Sequence, residues 1–469
     1  MMADWERRVR DRAAAAIRRA RNRRRAILLS LAAPIAPPED VLALLHAPAH
    51  RTDHCFVWQR PADALSIAGL GAAATCEAEG DGRFTAVAGA CTALIDDALI
   101  ETAADPSTAG PLFVGGFAFA PDAVRGVWQG FPPGQLVLPR VTIVQRGQLA
   151  ALTFNVLLNG ESDPEEVARQ LTAEMVRVHT PVMRPARSIH ADAAPPRYEA
   201  ASHSLPSWQD AVAETLADIS AGRVQKLVLA RTCTVQSARV FDCVRIVRQL
   251  RHAYPDCTTF WLGTPSGSFL GATPELLVRL TGSEIETVAI AGTVARGGSA
   301  AHDEALAHTL RVSGKERHEH AVVVDAIAGI LAPLCRRLDV PAGPHVVQLE
   351  NVQHLISPIA GTLRQPLSIL SLVERLHPSP AVAGFPSDAA LTLLAHREQL
   401  DRGWYAGPIG WMDARQCGEF VVALRSALVQ ETRATLFAGA GIVAGSDPEA
   451  ELAETRLKLQ PLLSALMEL

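Results

Sequence analysis

Val224-Gln-Lys-Leu-Val-Leu-Ala-Arg231 alternates as an extended chain does, with Val224, Lys226 and Val228 on one side and Leu227 and Leu229 on the other. Apolar residues on both sides mark a strand covered on both faces, so the chain is built around an interior sheet. Working outward, similar runs predict strands at 258–262, 268–272, 277–280, 421–427 and 435–440. Toward the N-terminus, apolar runs punctuated by Gly and Pro predict strands at 26–31, 56–58, 113–119, 136–144 and 150–157. A helix follows Ser207 as cap, with Trp208, Val212, Leu216 and Ile219 as its apolar stripe and Ala221-Gly222 as its end. Residues 180–204 have neither period and read as a connection, which divides the chain into 1–200 and 201–469. On these signals the class is α/β or α+β with much sheet, without internal repeats.

The first 25 residues carry ten Arg, and Trp5, Val9, Ala13 and Ile17 recur every fourth position, the pattern of an amphipathic helix with a solvated basic face. The apolar stretch 26–36 is interrupted by Pro34 and is far short of the roughly 20 residues a membrane helix needs, so it reads as a buried strand. An export signal usually has fewer charges before its apolar run. The 469 residues are 48% hydrophobic and 20% charged, enough for a large core. A net charge of −5 argues against general binding of nucleic acid or acidic membranes, so an anionic ligand must be met by a local cluster or a metal. Eight scattered cysteines without Cys-x-x-Cys read as reduced thiols of a cytoplasmic protein.

Two stretches place carboxylates on the first turns of helices: Ser313-Gly-Lys-Glu316-Arg-His-Glu319-His320 and Ser446-Asp-Pro-Glu449-Ala-Glu451-Leu-Ala-Glu454. Ser three residues before Glu is a capping box, so Ser313 with Glu316 and Ser446 with Glu449 are expected to open the helices. Glu319, Glu451 and Glu454 are then left for other work. Carboxylates from two helices, with positions open for water and an anionic substrate, suit magnesium.

Lys226 in a strand buried on both faces is either a general base, its ammonium penalised by desolvation, or a lysine snorkelling from a strand end; periodicity does not separate the two. Glu275, just past a strand and Pro274, is an acid or base candidate, or merely complements a helix dipole. Gly439-Ala440-Gly441 offers backbone N–H groups to a carboxylate, but its spacing to Gly445 does not fit a dinucleotide fingerprint. Arg425 in an apolar run wants an anionic partner. His318-Glu-His320 lacks zinc spacing, and His354 alone reads as a satisfied core histidine.

Taken in order, Lys226 with Leu-Val-Leu-Ala-Arg, Gly271-Ala-Thr-Pro-Glu275, Ile290-Ala-Gly-Thr-Val-Ala-Arg296, Lys315-Glu-Arg-His-Glu-His320 and Val352-Gln-His-Leu resemble the chorismate-utilising enzymes. His377-Pro-Ser-Pro-Ala-Val-Ala-Gly-Phe-Pro386, Gly403-Trp-Tyr-Ala-Gly-Pro, Leu424-Arg-Ser-Ala and Phe437-Ala-Gly-Ala-Gly-Ile through Lys458 continue the resemblance over about 205–465. The family includes isochorismate, salicylate, anthranilate and aminodeoxychorismate synthases. It implies an α+β fold, a large two-layered and mainly antiparallel sheet core with helices outside, to which both parts of the chain contribute.

Within the family, Lys at position 226 goes with water as nucleophile, whereas aminating members have Gln there and take ammonia from a glutaminase partner. Aminating members also place Thr where this chain has Ala381. Both point to isochorismate synthase, with salicylate synthase the nearest alternative and no glutaminase subunit expected. Glu316, where many relatives have Asp, is a departure that keeps the charge. The resemblance implies Mg2+ held by Glu319 and Glu454, with Glu451 through water, Lys226 as the base for water attacking C2, and Glu275 as the acid for the hydroxyl leaving C4. It assigns contacts with chorismate to Gly292, Thr293, His354, Ala381, Tyr405, Arg425, Gly439, Ala440, Gly441 and Lys458. A monomer or weak dimer is expected.

Overall fold

The computed structural model describes residues 2–46, 54–122, 126–179, 197–199, 205–398 and 400–467. Two large sheets face one another across an aromatic core. The larger has 13 strands, running from Arg197–Glu199 through Lys226–Gln236, Arg433–Val443, Ser426–Gln430, Gly267–Thr273 and Thr258–Thr264 into N-terminal strands that end with Ile27–Pro34 and Leu99–Thr102. The smaller has 10, centred on Val352–Leu363, Glu284–Ala295, Leu276–Thr281, Gly418–Val422 and Pro408–Asp413, and closed by Leu112–Phe117, Gly134–Leu138 and Ala74–Ala78. The 27–34 and 99–102 pair is parallel, and the pairings around the site are antiparallel. Both sheets draw strands from both parts of the sequence.

Trp128, Phe131, Phe269 and Trp404 fill the space between the sheets with edge-on ring contacts, and Phe117 and Phe420 continue the layer. Helices cover the outer faces. Met2–Arg23 buries Trp5, Val9, Ala13 and Ile17 as the four-residue spacing predicts, while its arginines pair outward with Asp97, Glu101 and Glu165. Cys243–Ala253 and Pro448–Met467 lie over the larger sheet, and Gly314–Leu331 packs on Glu284–Ala295 of the smaller one. Among the described residues no helix is long and apolar enough to cross a membrane.

Several sequence expectations are corrected. The run 136–144 is two strands in different sheets, Gly134–Leu138 and Val141–Arg146, separated at Pro139, which has no N–H to give a ladder. The run 421–427 likewise divides into Gly418–Val422 and Ser426–Gln430, with Arg425 at φ +47° in the link. The connection at 180–204 contains the edge strand Arg197–Glu199; the rest of it lies outside the described residues. Ser207 sits inside the helix Leu205–Ser220 rather than capping it. The final helix starts at Pro448, where Asp447 accepts from Ala450 N at 2.8 Å, while Ser446 Oγ accepts from Val443 N at 3.1 Å. Asp447 is the cap because Pro at the first helical position puts its missing N–H where no bond is needed.

Candidate active site

The centre of the site is Lys226, a fully buried lysine at 1% exposure whose Nζ donates to Glu319 Oε1 at 2.7 Å. It does not snorkel. Its strand pairs with Arg433–Val443, and Gly441 lies opposite Val228. A Cβ on Gly441 would fall 2.9 Å from Lys226 Cε and 2.7 Å from Glu319 Oε1, so the absent side chain makes room for the ion pair. Glu319 comes from the first turns of Gly314–Leu331, opened by Ser313 Oγ accepting from Glu316 N at 3.3 Å. Burial would raise the Glu319 pKa, but the Lys226 charge and hydrogen bond, helped by Lys458 and Lys315, pull it below its ordinary value.

Glu454, from the last helix, bonds Lys458 Nζ at 2.7 Å, and that ammonium also donates to Gly439 O at 3.0 Å. Burial raises its pKa; Lys458 opposes this, and repulsion from Glu451 and Glu319 adds to it. Glu451 does not line the cavity and is paired with Lys315 at 2.9 Å. Glu316, expected only to cap, belongs to the same cluster: burial and then Glu319 push its pKa up to about 7. Four carboxylates thus meet three lysines at the N-terminal ends of two helices. The cue for Glu316 was its spacing, since residues three apart share a helix face.

Glu275 and Arg425 sit on two neighbouring crossovers between the sheets. Residues 274–275 lead from Gly267–Thr273 to Leu276–Thr281, and 423–425 lead back from Gly418–Val422 to Ser426–Gln430. The crossovers pin each other: Thr273 Oγ1 donates to Val422 O at 2.7 Å, Val422 N to Glu275 O at 3.0 Å, and Ala272 N to Arg425 O at 3.3 Å. Glu275 is buried, and desolvation, opposed by Lys226 and Lys458, pushes its pKa up to about 7. It complements no helix dipole, because a strand follows it.

The partner of Arg425 is not an anion. Its Nη2 donates to His354 Nε2 at 2.6 Å, and its Nη1 is buried with no hydrogen-bond partner. Burial and then the Arg425 charge hold His354 well below its ordinary pKa, so the ring is neutral. Arginine has only donors, which puts the ring proton on Nδ1, within reach of Thr293 Oγ1 at 3.1 Å and Gly292 O at 3.3 Å. The bulge at Gly292, φ +82°, interrupts the register with Val352–Leu363 so that Thr293 comes opposite His354.

Tyr405 stacks on Phe437 with centroids 5.2 Å apart, and burial raises its hydroxyl pKa. These groups enclose a small cavity of about 80 Å³. Lys226, Glu275, Glu319, Glu454 and Lys458 line it, together with Gly292, Thr293, His354, Ala381, Tyr405, Arg425, Gly439 and Gly441. Ala440 does not, because strand alternation sends its methyl into the core. Val228, Arg402, Leu424 and Phe437 also line it; of these only the charge of Arg402 beside the Trp404-Tyr405 run offered a sequence cue. Among the described residues no group of three or more His, Cys, Asp or Glu side chains is placed to hold a metal ion.

The chain is similar to known proteins over most of its length. Residues 15–467 match the family described as chorismate binding enzyme. The chain is 36% identical to the salicylate biosynthesis isochorismate synthase of Pseudomonas aeruginosa, over 92% of this chain and 88% of that one. It is 31% identical to the isochorismate synthase MenF of Bacillus subtilis, over 96% of each. The solved structure of MenF, the menaquinone-specific isochorismate synthase of Escherichia coli, superimposes with a TM-score of 0.77 at 27% identity, covering 97% of this chain and 99% of that one. Anthranilate synthase component I of Streptococcus pneumoniae, at 19% identity and a TM-score of 0.68 over 85% of this chain and 92% of that one, shares the fold. With a match that spans almost its whole length, the chain belongs to the family of chorismate-binding enzymes.

Proposed function

We propose that the protein is an isochorismate synthase, which adds water to C2 of chorismate as the ring double bonds shift and the C4 hydroxyl leaves. The observation that carries this reading is the pairing in one cavity of a buried lysine, Lys226, with a buried carboxyl, Glu275, that holds its proton up to about pH 7. The ammonium paired with Glu319 must first lose its proton; in its neutral form Lys226 takes a proton from the attacking water, and Glu275 gives one to the departing hydroxyl, which leaves as water. Atoms balance: one water enters and one departs. The Nη1 of Arg425, oriented by His354, suits the enolpyruvyl carboxylate, with Tyr405 and the Gly439–Gly441 backbone beside it.

The carboxylate cluster fits a hard divalent cation. Glu316 and Glu454 are pushed upward by burial and by neighbouring carboxylates, repulsion that a cation would relieve, and the donors are all oxygens. We assign Mg2+ to Glu319 and Glu454, with Glu451 reached through water. When bound it would withdraw charge from the ring carboxylate of the substrate. No glutaminase subunit is needed when water is the nucleophile.

Salicylate synthase is the second reading, because the same acid and base serve its first step. Ala381 and Val382 offer no hydroxyl beside the ring, which favours release of isochorismate. Chromatography of purified protein with chorismate and Mg2+ tests this. Isochorismate as the main early product, approaching equilibrium with chorismate, is expected. Stoichiometric salicylate and pyruvate from the first turnovers would move the assignment to salicylate synthase, and anthranilate formed with ammonia at a comparable rate would overturn the role of Lys226.

A further inference from the structure

The strand Lys226–Gln236 is paired along its whole length on one side by Arg433–Val443. On its other side, among the described residues, it has strand partners only at its ends, Gly384–Phe385 opposite Lys226 and Leu227, and Arg197–Glu199 opposite Thr234–Gln236. Between them Val228 N donates to Ala383 O at 2.9 Å, and an ion pair takes up further groups of the edge. Val228 O accepts from Arg402 Nη2 at 2.7 Å, and Ala230 N donates to Glu398 Oε1 at 2.8 Å. Arg402 Nε donates to Glu398 Oε2 at 2.7 Å, and Arg402 Nη1 to Val382 O at 2.8 Å. The guanidinium lies 4.2 Å from the Phe119 ring centroid, and Arg402 O accepts from Tyr405 N at 2.9 Å.

Both side chains are almost fully buried, at 3% and 7% exposure. Burying two charges is a poor way to stabilise a fold, since desolvation offsets most of their attraction. What the pair does that an apolar edge does not is join three parts of the cavity to one planar group. They are the strand that carries Lys226, the wall at Ala381–Val382, and the turn that presents Tyr405. Val228 is two residues beyond Lys226, so their side chains share a face of the strand. A guanidinium fixes its donors in a rigid fork, which an ammonium does not.

We infer that Glu398 and Arg402 are a positioning pair, setting the spacing between Lys226 and the opposite wall of the cavity and so governing the chemical step rather than substrate binding. This rests on the reading of Lys226 given above. Misplacing a reacting group by about 1 Å can cost on the order of a hundredfold in rate, so a small relaxation of the strand edge is enough.

The test uses Arg402→Lys, which keeps the charge but loses the fork, and the double variant Glu398→Gln/Arg402→Gln, which removes both charges together. Steady-state kinetics, thermal unfolding and amide hydrogen exchange are measured on each. In Arg402→Lys, kcat should fall at least about thirtyfold with KM within about threefold, the pattern of a displaced catalytic group. Exchange should rise at Val228, Ala230 and the 381–383 wall, with the rest of the sheet unchanged. Wild-type kcat in a folded variant overturns the inference, as does KM rising in step with the loss of kcat, or exchange rising across the whole sheet. If Arg402→Lys does not fold, the double variant is judged by the same criteria; if neither folds, the pair is a folding element and the inference fails. Wild-type protein that does not turn over chorismate overturns the functional reading alone, because the exchange pattern needs no substrate.

Discussion

Arg425 donates to His354 Nε2 at 2.6 Å, so a neutral imidazole rather than a carboxylate orients the buried guanidinium and leaves its positive charge unneutralised by this partner, as the proposed role in binding the substrate anion requires. A carboxylate at 354 would satisfy Arg425 too well. His354→Ala should therefore raise KM for chorismate about tenfold, equivalent to roughly 1.4 kcal/mol, with a smaller change in kcat. His354→Asp should be worse than His354→Ala, because it competes for the charge. Equal KM values for the two variants would show that Arg425 does not bind the substrate anion.

Gly441 tests the ion pair without touching its charges. In Gly441→Ala the new methyl meets Glu319 Oε1 at 2.7 Å and Lys226 Cε at 2.9 Å. Turnover should drop by about a hundredfold, the order expected for a displaced catalytic group, with a modest effect on the unfolding midpoint. Near-normal kcat in Gly441→Ala would mean that the Lys226–Glu319 geometry is not used.

The acid limb follows from Glu275. A general acid works only while protonated, so kcat should be lost as pH rises through about 7, and Glu275→Gln should abolish turnover at every pH. The stability effect has a definite sign. The folded pKa, about 7, lies above the ordinary 4.5, so the unfolded chain gives up the proton first and wild type loses stability as pH rises from about 4.5 to 7. Glu275→Gln escapes this loss. It should match wild type near pH 4 and exceed it at pH 8 by at most roughly 3 kcal/mol, as urea titration at the two pH values would show. The same stability difference at both pH values would rule out a buried carboxyl with a raised pKa.

Metal dependence separates the members of the carboxylate cluster. Chelator should abolish turnover and Mg2+ restore it; full activity in excess chelator would sink the metal assignment. Glu319→Ala and Glu454→Ala should both be inactive, but they should differ in stability. Removing Glu319 strands the buried Lys226 ammonium, a loss of about 3 kcal/mol, whereas the Lys458 partner of Glu454 is partly exposed and keeps Gly439 O. Glu316→Gln should raise stability at pH 8, because it removes a carboxylate that burial and its neighbours disfavour.

Much of this was legible in the sequence, and the gaps have physical causes. The N-terminal helix, the Lys226 strand and Glu319 were readable because period and capping are local properties. The switches at Pro139 and Arg425 were hidden, since an apolar run has the same pattern whether it stays in one sheet or passes to the other. The start of the last helix was open to reading, because Pro448 marks a first helical position and makes Asp447 the cap, yet Ser446 matched a capping box equally well. Glu316 reads as a cap alone, because its spacing from Ser313 already supplies a sufficient local role. Tyr405, Gly292 and Thr293 carry no local signal of chemistry and were reached through the family resemblance. Ala440 shares the Gly-Ala-Gly run that the resemblance assigns to the substrate, but strand alternation turns it away from the cavity.

Glu275, the proposed acid, and Arg425, the proposed anion anchor, both ride on links that join the two sheets, so the distance between them is governed by how far apart the sheets stand. That separation is filled by Phe131, Phe269, Trp128 and Trp404, none of which carries chemistry. Shaving one of these rings should let the jaws close and change turnover without altering any reactive group. If so, the catalytic span of this protein is set by the thickness of its filling, and a substitution in the aromatic layer is a substitution in the active site.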